Sequence, residues 1–229
     1  MQASARPLPC THPRLTRYRG LEHPAARDNA DDSISSAGDW PGAAALPSSV
    51  ELSPTAVALG GMSKVFAMPG IRIGWLVSAD AALMARVNEL KDYTTICPAS
   101  PSEKLAICGL TEPARSAIVA RSRGLARDGL AAVKGFVADL APDLTLCEPR
   151  GGTMALVRLT AGVSATKYCA YLAEHASVML VPSLYFDDEL GLGDSYVRVG
   201  FAREPEGLSA GIAAWRLYHD AAMRHALSG

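Results

Sequence analysis

The sequence lacks the paired cysteines that a disulfide framework or a zinc site requires. It has five cysteines, an odd number, with no C-x-x-C pair, and its five histidines are scattered along the chain. Structural zinc sites take their ligands from closely spaced Cys and His pairs. We therefore expect no bound metal and reduced thiols, which are the usual state of cysteines in the cytoplasm.

Long apolar runs and an excess of charge of one sign are also missing. No stretch approaches the roughly 18 apolar residues of a membrane span. Residues 1–7 are followed by more prolines and arginines and not by the apolar core of a signal peptide. The formal net charge is −1, so no basic field attracts nucleic acid or an anionic membrane. We expect a cytoplasmic protein with no nucleic-acid and no membrane partner.

The size and composition are those of a globular protein. The 229 residues are 49% hydrophobic and 20% charged, which is enough for one large domain or two small ones around a core. Residues 1–55 are the exception, because they show little apolar periodicity and are rich in Pro, Ser, Asp and Ala. This composition predicts an irregular segment with a disordered insert.

From residue 56 onward, short apolar segments alternate with segments of helical spacing. Asp80 is a good N-cap for a helix in which Leu83, Val87 and Leu90 recur, and the hydroxyl of Ser102 predicts a second cap. Strands interleaved with helices predict an α/β or α+β fold. The predicted strands are 56–59, 71–77, 144–146, 153–159, 178–181 and 196–201. The other predicted helices are 113–140, kinked or split by glycines at 124, 129 and 135, and 164–175 and 206–226.

One loop between two predicted strands combines a lysine with an arginine among small residues. It runs from Gly61 to Trp75 and contains Lys64 and Arg72. A lysine held near apolar walls favours its neutral amine, which attacks carbonyl groups and forms imines. The forked guanidinium of an arginine suits a phosphate or a carboxylate. The residues alone also allow two exposed side chains with no chemical role.

The spacing of these residues resembles the cofactor-lysine signature of the fold-type I pyridoxal-phosphate enzymes, the class I and II aminotransferases. The signature is Ser-Lys, four residues, Pro-Gly, one residue, Arg, one residue, Gly-Trp, and the chain matches it from Ser63 to Trp75. The resemblance implies that Lys64 holds pyridoxal 5′-phosphate as a Schiff base, that Ser63 helps to bind the cofactor, and that Arg72 binds its phosphate. Gly61 stands where many relatives have a phosphate-binding serine.

Two further segments extend the resemblance. Tyr196–Phe201 is similar to the C-terminal strand in which the family places the arginine that binds the substrate α-carboxylate, here Arg198. Tyr18 resembles the tyrosine that hydrogen-bonds the ring oxygen of the cofactor. In the family this tyrosine follows an aspartate that pairs with the pyridine nitrogen, whereas this chain has Leu15 at that position. An apolar side chain cannot keep the nitrogen protonated.

The resemblance covers about residue 17 to the end and implies a fold-type I pyridoxal-phosphate transferase of the α/β class. We expect residues 1–55 to form the irregular segment, residues 56–100 a remnant of the large cofactor-binding domain, and residues 101–229 the small C-terminal domain. The two strands of the remnant would have few sheet neighbours and uncovered apolar faces. Residues 1–16 do not resemble the family.

The function implied by the resemblance is transamination between an amino acid and a 2-oxo acid, in relatives that are homodimers when intact. Lys64 would act as general base on the Cα proton of the substrate, and Arg198 would hold its carboxylate. Two alternatives stay open. A lyase or a cyclase of the same family uses the same first steps. A truncated, catalytically silent homologue, either a gene fragment or a partner subunit, is favoured by Leu15 and by the missing N-terminal part of the family.

Overall fold

The structure, a computed structural model, describes residues 27–28, 48–149, 151–186 and 191–227. The chain divides into two compact units, and the division falls between Ala126 and Arg127. The N-terminal unit contains the described residues up to Ala126 together with 151–153, and the C-terminal unit contains 127–149 and the described residues from Met154 onward. This division lies within a long helix, whereas the sequence predicts a domain boundary near residue 100.

The N-terminal unit is built on a three-stranded sheet followed by helices. The strand order is β1-β2-β3, in which β2 pairs parallel with β1 and antiparallel with β3. Its elements are β1 (Arg27–Asp28), α1 (Ser49–Leu52), β2 (Val57–Gly61), β3 (Gly74–Ser78), α2 (Ala81–Thr94) and α3 (Ser100–Leu110), and α4 (Ala114–Asp139) begins here and continues into the other unit.

The strand predicted for residues 71–77 begins later than expected, at Gly74. Pro69–Ile71 form a 3₁₀ turn, and Arg72 follows in the left-handed conformation with φ 56° and ψ 41°. A left-handed residue cannot continue a β-strand, so pairing starts only after it. In the register Gly61 then lies opposite Gly74. This delay shapes the loop that contains Lys64 and Arg72.

A side-chain cap explains where α2 begins, and a proline explains where α3 begins. The side chain of Asp80 accepts a hydrogen bond from the Leu83 nitrogen at 2.9 Å, which confirms the predicted cap of α2. The predicted cap of α3 at Ser102 is wrong, because the helix starts earlier, after Ala99, with Pro101 in its first turn. A proline in the first turn needs no hydrogen-bond acceptor, so it begins a helix without strain.

The C-terminal unit contains a four-stranded antiparallel sheet and two helices that pack on each other. The strand order is β4-β5-β7-β6, so the last long strand, β7, lies between β5 and β6. The elements are β4 (Leu144–Cys147), β5 (Met154–Leu159), α5 (Ala165–Ala176), β6 (Val181–Pro182), β7 (Tyr196–Gly200) and α6 (Pro205–Leu227). Of the strand predicted over 178–181, only Val181 is in a strand.

Helix α4 is continuous over 26 residues, so the predicted split is wrong. Gly129 has a packing reason instead. A Cβ added there would lie 2.0 Å from the backbone oxygen of Phe201, which no side chain could tolerate. The glycine therefore lets the helix approach the chain just beyond β7, and this packing offsets the low helix propensity of glycine.

The apolar core of the C-terminal unit is extensive. Its fully buried side chains come from β5, α5, β7 and the residue just after β7, and they include Val157, Tyr168, Leu172, Val197 and Phe201. Burial of large side chains of this kind stabilises a small domain more than any other single contribution. None of the described helices is both long enough and apolar enough to cross a membrane.

Candidate active site

The loop after β2 is closed by backbone hydrogen bonds. The Met68 nitrogen donates to the Met62 oxygen at 2.8 Å, and the Ala67 nitrogen donates to the Lys64 oxygen at 2.9 Å. Met62 also donates from its nitrogen to the Ile73 oxygen at 3.0 Å, which ties the start of the loop to the residue before β3. The loop is therefore a defined turn between two paired strands.

Buried side chains of the turn itself anchor it to the interior of the N-terminal unit. Met62, Val65 and Phe66 are 0%, 2% and 8% exposed. Helix α3 packs against the turn through Gly109, where an added Cβ would lie 3.0 Å from the terminal methyl of Met62 and 3.0 Å from that of Met68. The apolar residues on both sides of Lys64 are the signal in the sequence for this support.

Lys64 itself is exposed. From the sequence, a lysine in this loop can lie near apolar walls; in the structure the side chain of Lys64 lies at the surface of the turn. The apolar residues beside it point into the unit, and the lysine occupies the outer position of the turn. No described residue forms an ion pair or a hydrogen bond with the Lys64 amine, so the group is available to a ligand.

Arg72 lies in the unusual left-handed conformation and is held there locally. One terminal nitrogen of its guanidinium, Nη1, donates to the backbone oxygen of Pro69 at 2.9 Å. A guanidinium carries five N–H donors, so this bond orients the group and leaves donors for an anion. A left-handed residue other than glycine costs about 1 kcal/mol or more, and such strain is concentrated at functional sites.

Ser63, Lys64 and Arg72 line one cavity of about 350 Å³. The rest of its wall comes from Leu59, Gly60, Gly61, Ile73 and Gly74, at the ends of β2 and β3. The cavity volume lies within the range usual for small-molecule sites. Three of the four residues predicted to bind the cofactor therefore share one site.

The glycines keep this cavity open and the two strands close. A Cβ on Gly74 would lie 3.0 Å from the Gly60 oxygen, and one on Gly61 would lie 3.3 Å from the Ile73 oxygen. A side chain at either position would push against backbone. The donor set of amine, hydroxyl and guanidinium around bare backbone fits a phosphorylated aldehyde, because it offers one nucleophile and one anion-binding fork.

Arg198, the predicted carboxylate-binding residue, belongs to the C-terminal unit. It lies on β7 with Leu156 opposite on β5 and Val181 opposite on β6. Its side chain is half-buried, and its guanidinium carbon lies 5.4 Å from the centre of the Phe186 ring. No described residue forms an ion pair or a hydrogen bond with this guanidinium.

The C-terminal unit contains a larger cavity, of about 510 Å³, with fewer side chains that could react with a ligand. Its wall is mostly apolar, with Ser177 and Arg203 as its polar side chains. It contains no nucleophilic amine or thiol and no carboxylate. Across the described ranges, no three His, Cys, Asp or Glu side chains come together as metal ligands would.

The predicted cofactor contact at Tyr18 and the substituted position Leu15 lie outside the described residues. Their roles stay predictions from the resemblance.

Comparison with known proteins identifies the family. The sequence matches the family "Aminotransferase class I and II" over residues 34–213, which is most of the chain. The chain belongs to the class I and II aminotransferases. The family is one of pyridoxal-phosphate enzymes of fold type I, as the motif around Lys64 and the mixed α/β architecture led us to expect.

Individual aminotransferase-family proteins resemble parts of the chain. A capreomycidine synthase from Streptomyces vinaceus is 30% identical over 158 residues, covering 69% of this chain and 39% of that protein. A pyridoxal-phosphate-dependent aminotransferase structure from Streptococcus suis has a TM-score of 0.69 at 26% identity, covering 77% of this chain and 45% of the other. The structure of a pyridoxal-phosphate-dependent cyclase, OrfR, has a TM-score of 0.70 at 23% identity, covering 95% of this chain and 55% of the other.

The chain therefore spans only 39% to 55% of the length of these three proteins. The matched part contains the two arginines and the lysine of the predicted site. What the longer proteins do as wholes bears on this chain only as a basis for proposals.

Proposed function

We propose that the chain binds pyridoxal 5′-phosphate through Lys64 and transfers the amino group of an amino acid to a 2-oxo acid. The observation that carries the proposal is the shared cavity of Ser63, Lys64 and Arg72. When bound, the cofactor supplies an aldehyde that condenses with amines and a ring that accepts the electron pair released at the α-carbon of the substrate.

Lys64 has two roles in this proposal. Its amine would condense with the aldehyde of the cofactor, with release of water. The same side chain would act as the base that removes the proton from the α-carbon of the substrate and would return a proton to the reacting skeleton. The exposed position of Lys64 and its lack of a described partner leave the side chain free to move between these tasks.

The two arginines supply fixed positive charge. Arg72, oriented by its bond to the Pro69 oxygen, would hold the phosphate of the cofactor. Arg198 holds the α-carboxylate of the substrate, for which its planar fork is suited. Ser63 adds a hydroxyl to the phosphate side. These assignments use the positive charge of the two arginines and the hydroxyl of Ser63, and they require no metal.

Trapping with borohydride tests the assignment of Lys64. Pyridoxal phosphate is added to the full chain, reduced in place, and located by peptide mass spectrometry. We expect the label on Lys64, its loss in Lys64→Ala, and no change in Lys104→Ala, an exposed lysine of α3 in the same unit. Arg72→Gln should weaken cofactor binding about ten- to a hundredfold, because it removes charge-assisted hydrogen bonds to the phosphate.

Label spread equally over exposed lysines, or none at Lys64, would refute the proposal and favour a silent homologue. The absorbance of the unreduced adduct gives a second measurement, which should disappear in Lys64→Ala and persist in Lys104→Ala.

A cyclase of the same family is the second candidate. It is favoured by the 30% identity to capreomycidine synthase, the relative with the highest identity of those compared above. Amino acids labelled with nitrogen-15, supplied with 2-oxoglutarate, separate the two candidates. Transamination moves the label to the acceptor, whereas cyclisation keeps it in the product.

A further inference from the structure

We propose that Phe186 is a positioning residue whose ring restrains the guanidinium of Arg198 and leaves its N–H donors free for the carboxylate of the substrate. The inference rests on the proposed role of Arg198. It adds a residue and a mechanism of orientation that the sequence motifs do not contain.

The first observation is the contact itself. The guanidinium carbon of Arg198 lies 5.4 Å from the centre of the Phe186 ring. Cations within about 6 Å of a ring centre are attracted to the negative face of the ring. A phenyl ring has no oxygen or nitrogen acceptor, so this contact replaces none of the hydrogen bonds that a carboxylate would make with the guanidinium.

The second observation is what Arg198 lacks. No described carboxylate, carbonyl or hydroxyl pairs with it. An acidic partner would orient the arginine as well, but it would compete with the carboxylate of a substrate. An aromatic partner restrains the long side chain, which otherwise has considerable rotamer freedom, without occupying the donors.

The third observation is that Phe186 is fixed by its own segment. Ser183, which is 0% exposed, begins a 3₁₀ turn at Ser183–Tyr185, and the Phe186 nitrogen donates to the Ser183 oxygen at 3.0 Å. The hydroxyl of Ser183 donates to the Gly193 oxygen and accepts from the Tyr196 nitrogen at 3.2 Å.

These bonds tie the turn to the start of β7, the strand that carries Arg198. Strand β6 adds a second tie, because Val181 lies opposite Arg198 in the sheet. Ring and guanidinium are therefore attached to the same paired strands of one unit. The backbone of Phe186 is therefore held beside the strand that carries Arg198, which keeps the ring within reach of the guanidinium.

The test compares Phe186→Leu, which keeps an apolar side chain but loses the aromatic face, with Phe186→Tyr, which keeps the face. The first readout is the side-chain Nε–H signal of Arg198 in the NMR spectrum of the full chain, assigned by its disappearance in Arg198→Lys. We expect this signal to be displaced by the ring current in the unsubstituted chain and in Phe186→Tyr, and to move to the position of an unstacked arginine in Phe186→Leu.

The second readout is the affinity for L-alanine, the simplest chiral amino acid with the common carboxylate, measured by calorimetry. We expect Phe186→Leu to bind about tenfold more weakly, the range of a partly desolvated cation–π contact. Phe186→Tyr should bind like the unsubstituted chain. In an Arg198→Gln background, Phe186→Leu should have no further effect.

Borohydride trapping at Lys64 is run on every variant and should not change. If Lys64 takes no label in the unsubstituted chain, the proposed function fails, and the Arg198 signal still decides the orientation by Phe186. If Lys64 is labelled but Phe186→Leu leaves either the Arg198 signal or the L-alanine affinity unchanged, the inference about Phe186 is overturned and the proposed function stands.

Discussion

Single residues in the C-terminal unit form a buried chain of hydrogen bonds. The indole nitrogen of Trp215 donates to the Tyr168 hydroxyl oxygen at 2.5 Å, and this hydroxyl lies 2.8 Å from Nδ1 of His219. Nε2 of His219 lies 3.3 Å from Oδ2 of Asp143. Because indole N–H can only donate, the Tyr168 hydroxyl oxygen is the acceptor of the bond from Trp215, and the same hydroxyl shares a second bond with Nδ1 of His219.

Removing the hydroxyl of Tyr168 should therefore lower the free energy of unfolding more than an ordinary surface substitution does. In Tyr168→Phe, both the Trp215 N–H and Nδ1 of His219 lose their partner in a site where Tyr168 is 0% and His219 1% exposed. We expect a loss of about 2 kcal/mol in the free energy of unfolding, since a buried group without a partner costs ~1–3 kcal/mol. Urea unfolding followed by tryptophan fluorescence measures it.

Tyr171→Phe is the matched control, because Tyr171 lies on the same helix and stacks its ring on His175 with centroids 4.0 Å apart. Its stability should change by less than about 0.5 kcal/mol. Equal losses in the two variants would contradict the network.

The sequence predicts the residues of the candidate site better than the residues of this hydrogen-bond network. Lys64 and Arg72 are close along the chain, so their fixed spacing within one loop indicates one site. Tyr168 and His219 are 51 positions apart, and nothing local in either helix indicates that they meet. The same limit applies to Phe186, whose contact with Arg198 depends on strand pairing.

Among the elements, the helices depend on their caps to different degrees. Helix α5 starts at a dense cap in which Asp194 accepts from the Thr166 nitrogen at 2.8 Å, from the Thr166 hydroxyl at 2.7 Å and from the Ser164 hydroxyl. Helix α5 buries four residues, whereas α2, capped by Asp80, buries none. The cap of α5 is thus coupled to the core, and the cap of α2 is not.

Asp194→Ala should accordingly destabilise the C-terminal unit, whereas Asp80→Ala should affect only helix α2. We expect Asp194→Ala to lower the unfolding free energy of the C-terminal unit by about 2 kcal/mol, the upper range for a helix cap. Asp80→Ala should only increase fraying of α2. Hydrogen exchange of the α5 and α2 amides, combined with urea unfolding, measures both effects. The coupling is refuted if the core amides of α5 keep their protection in Asp194→Ala.

Elements were predictable where caps and periodicity agree, as for α2 at Asp80 and α5 at Ser164. The predictions failed where tertiary packing overrides local propensity. Gly129 stays helical in α4 because the Phe201 backbone packs against it. The delayed start of β3 follows from the left-handed Arg72, a conformation that no periodicity reveals.

At the scale of the whole molecule, the two units differ in how far they bury the apolar side chains of their strands. Strand β3 exposes Trp75, Leu76 and Val77 by 38%, 39% and 47%. In the C-terminal unit, β7 buries Tyr196, Val197 and Val199. The uncovered apolar strand face expected from the resemblance is thus present in the N-terminal unit, which also contains the Lys64 cavity. The stability of the molecule should therefore be concentrated in the C-terminal unit.

The response of that stability to alkaline pH follows from a buried thiol. Cys169 on α5 is 5% exposed. Burial, with a smaller contribution from the charge of Asp194, raises the pKa of its thiol from 9.0 to about 12. Burial likewise raises the pKa of Tyr168. An acid with a raised pKa in the folded state keeps its proton there while the unfolded chain loses it. Its stabilising effect is complete below the unfolded pKa and is lost as the pH rises through the folded one.

Between about pH 9 and pH 12, the unfolding free energy should therefore fall more steeply for the unsubstituted chain than for Cys169→Ala. One proton of difference corresponds to roughly 1.4 kcal/mol per pH unit. Urea unfolding at a series of pH values measures this slope. The smaller alanine side chain lowers the unfolding free energy by the same amount at every pH, so it does not change the slope. Cys108→Ala, which removes an exposed thiol, should follow the slope of the unsubstituted chain. Parallel curves for all three proteins would show that the Cys169 thiolate is no less stable inside the fold than in water.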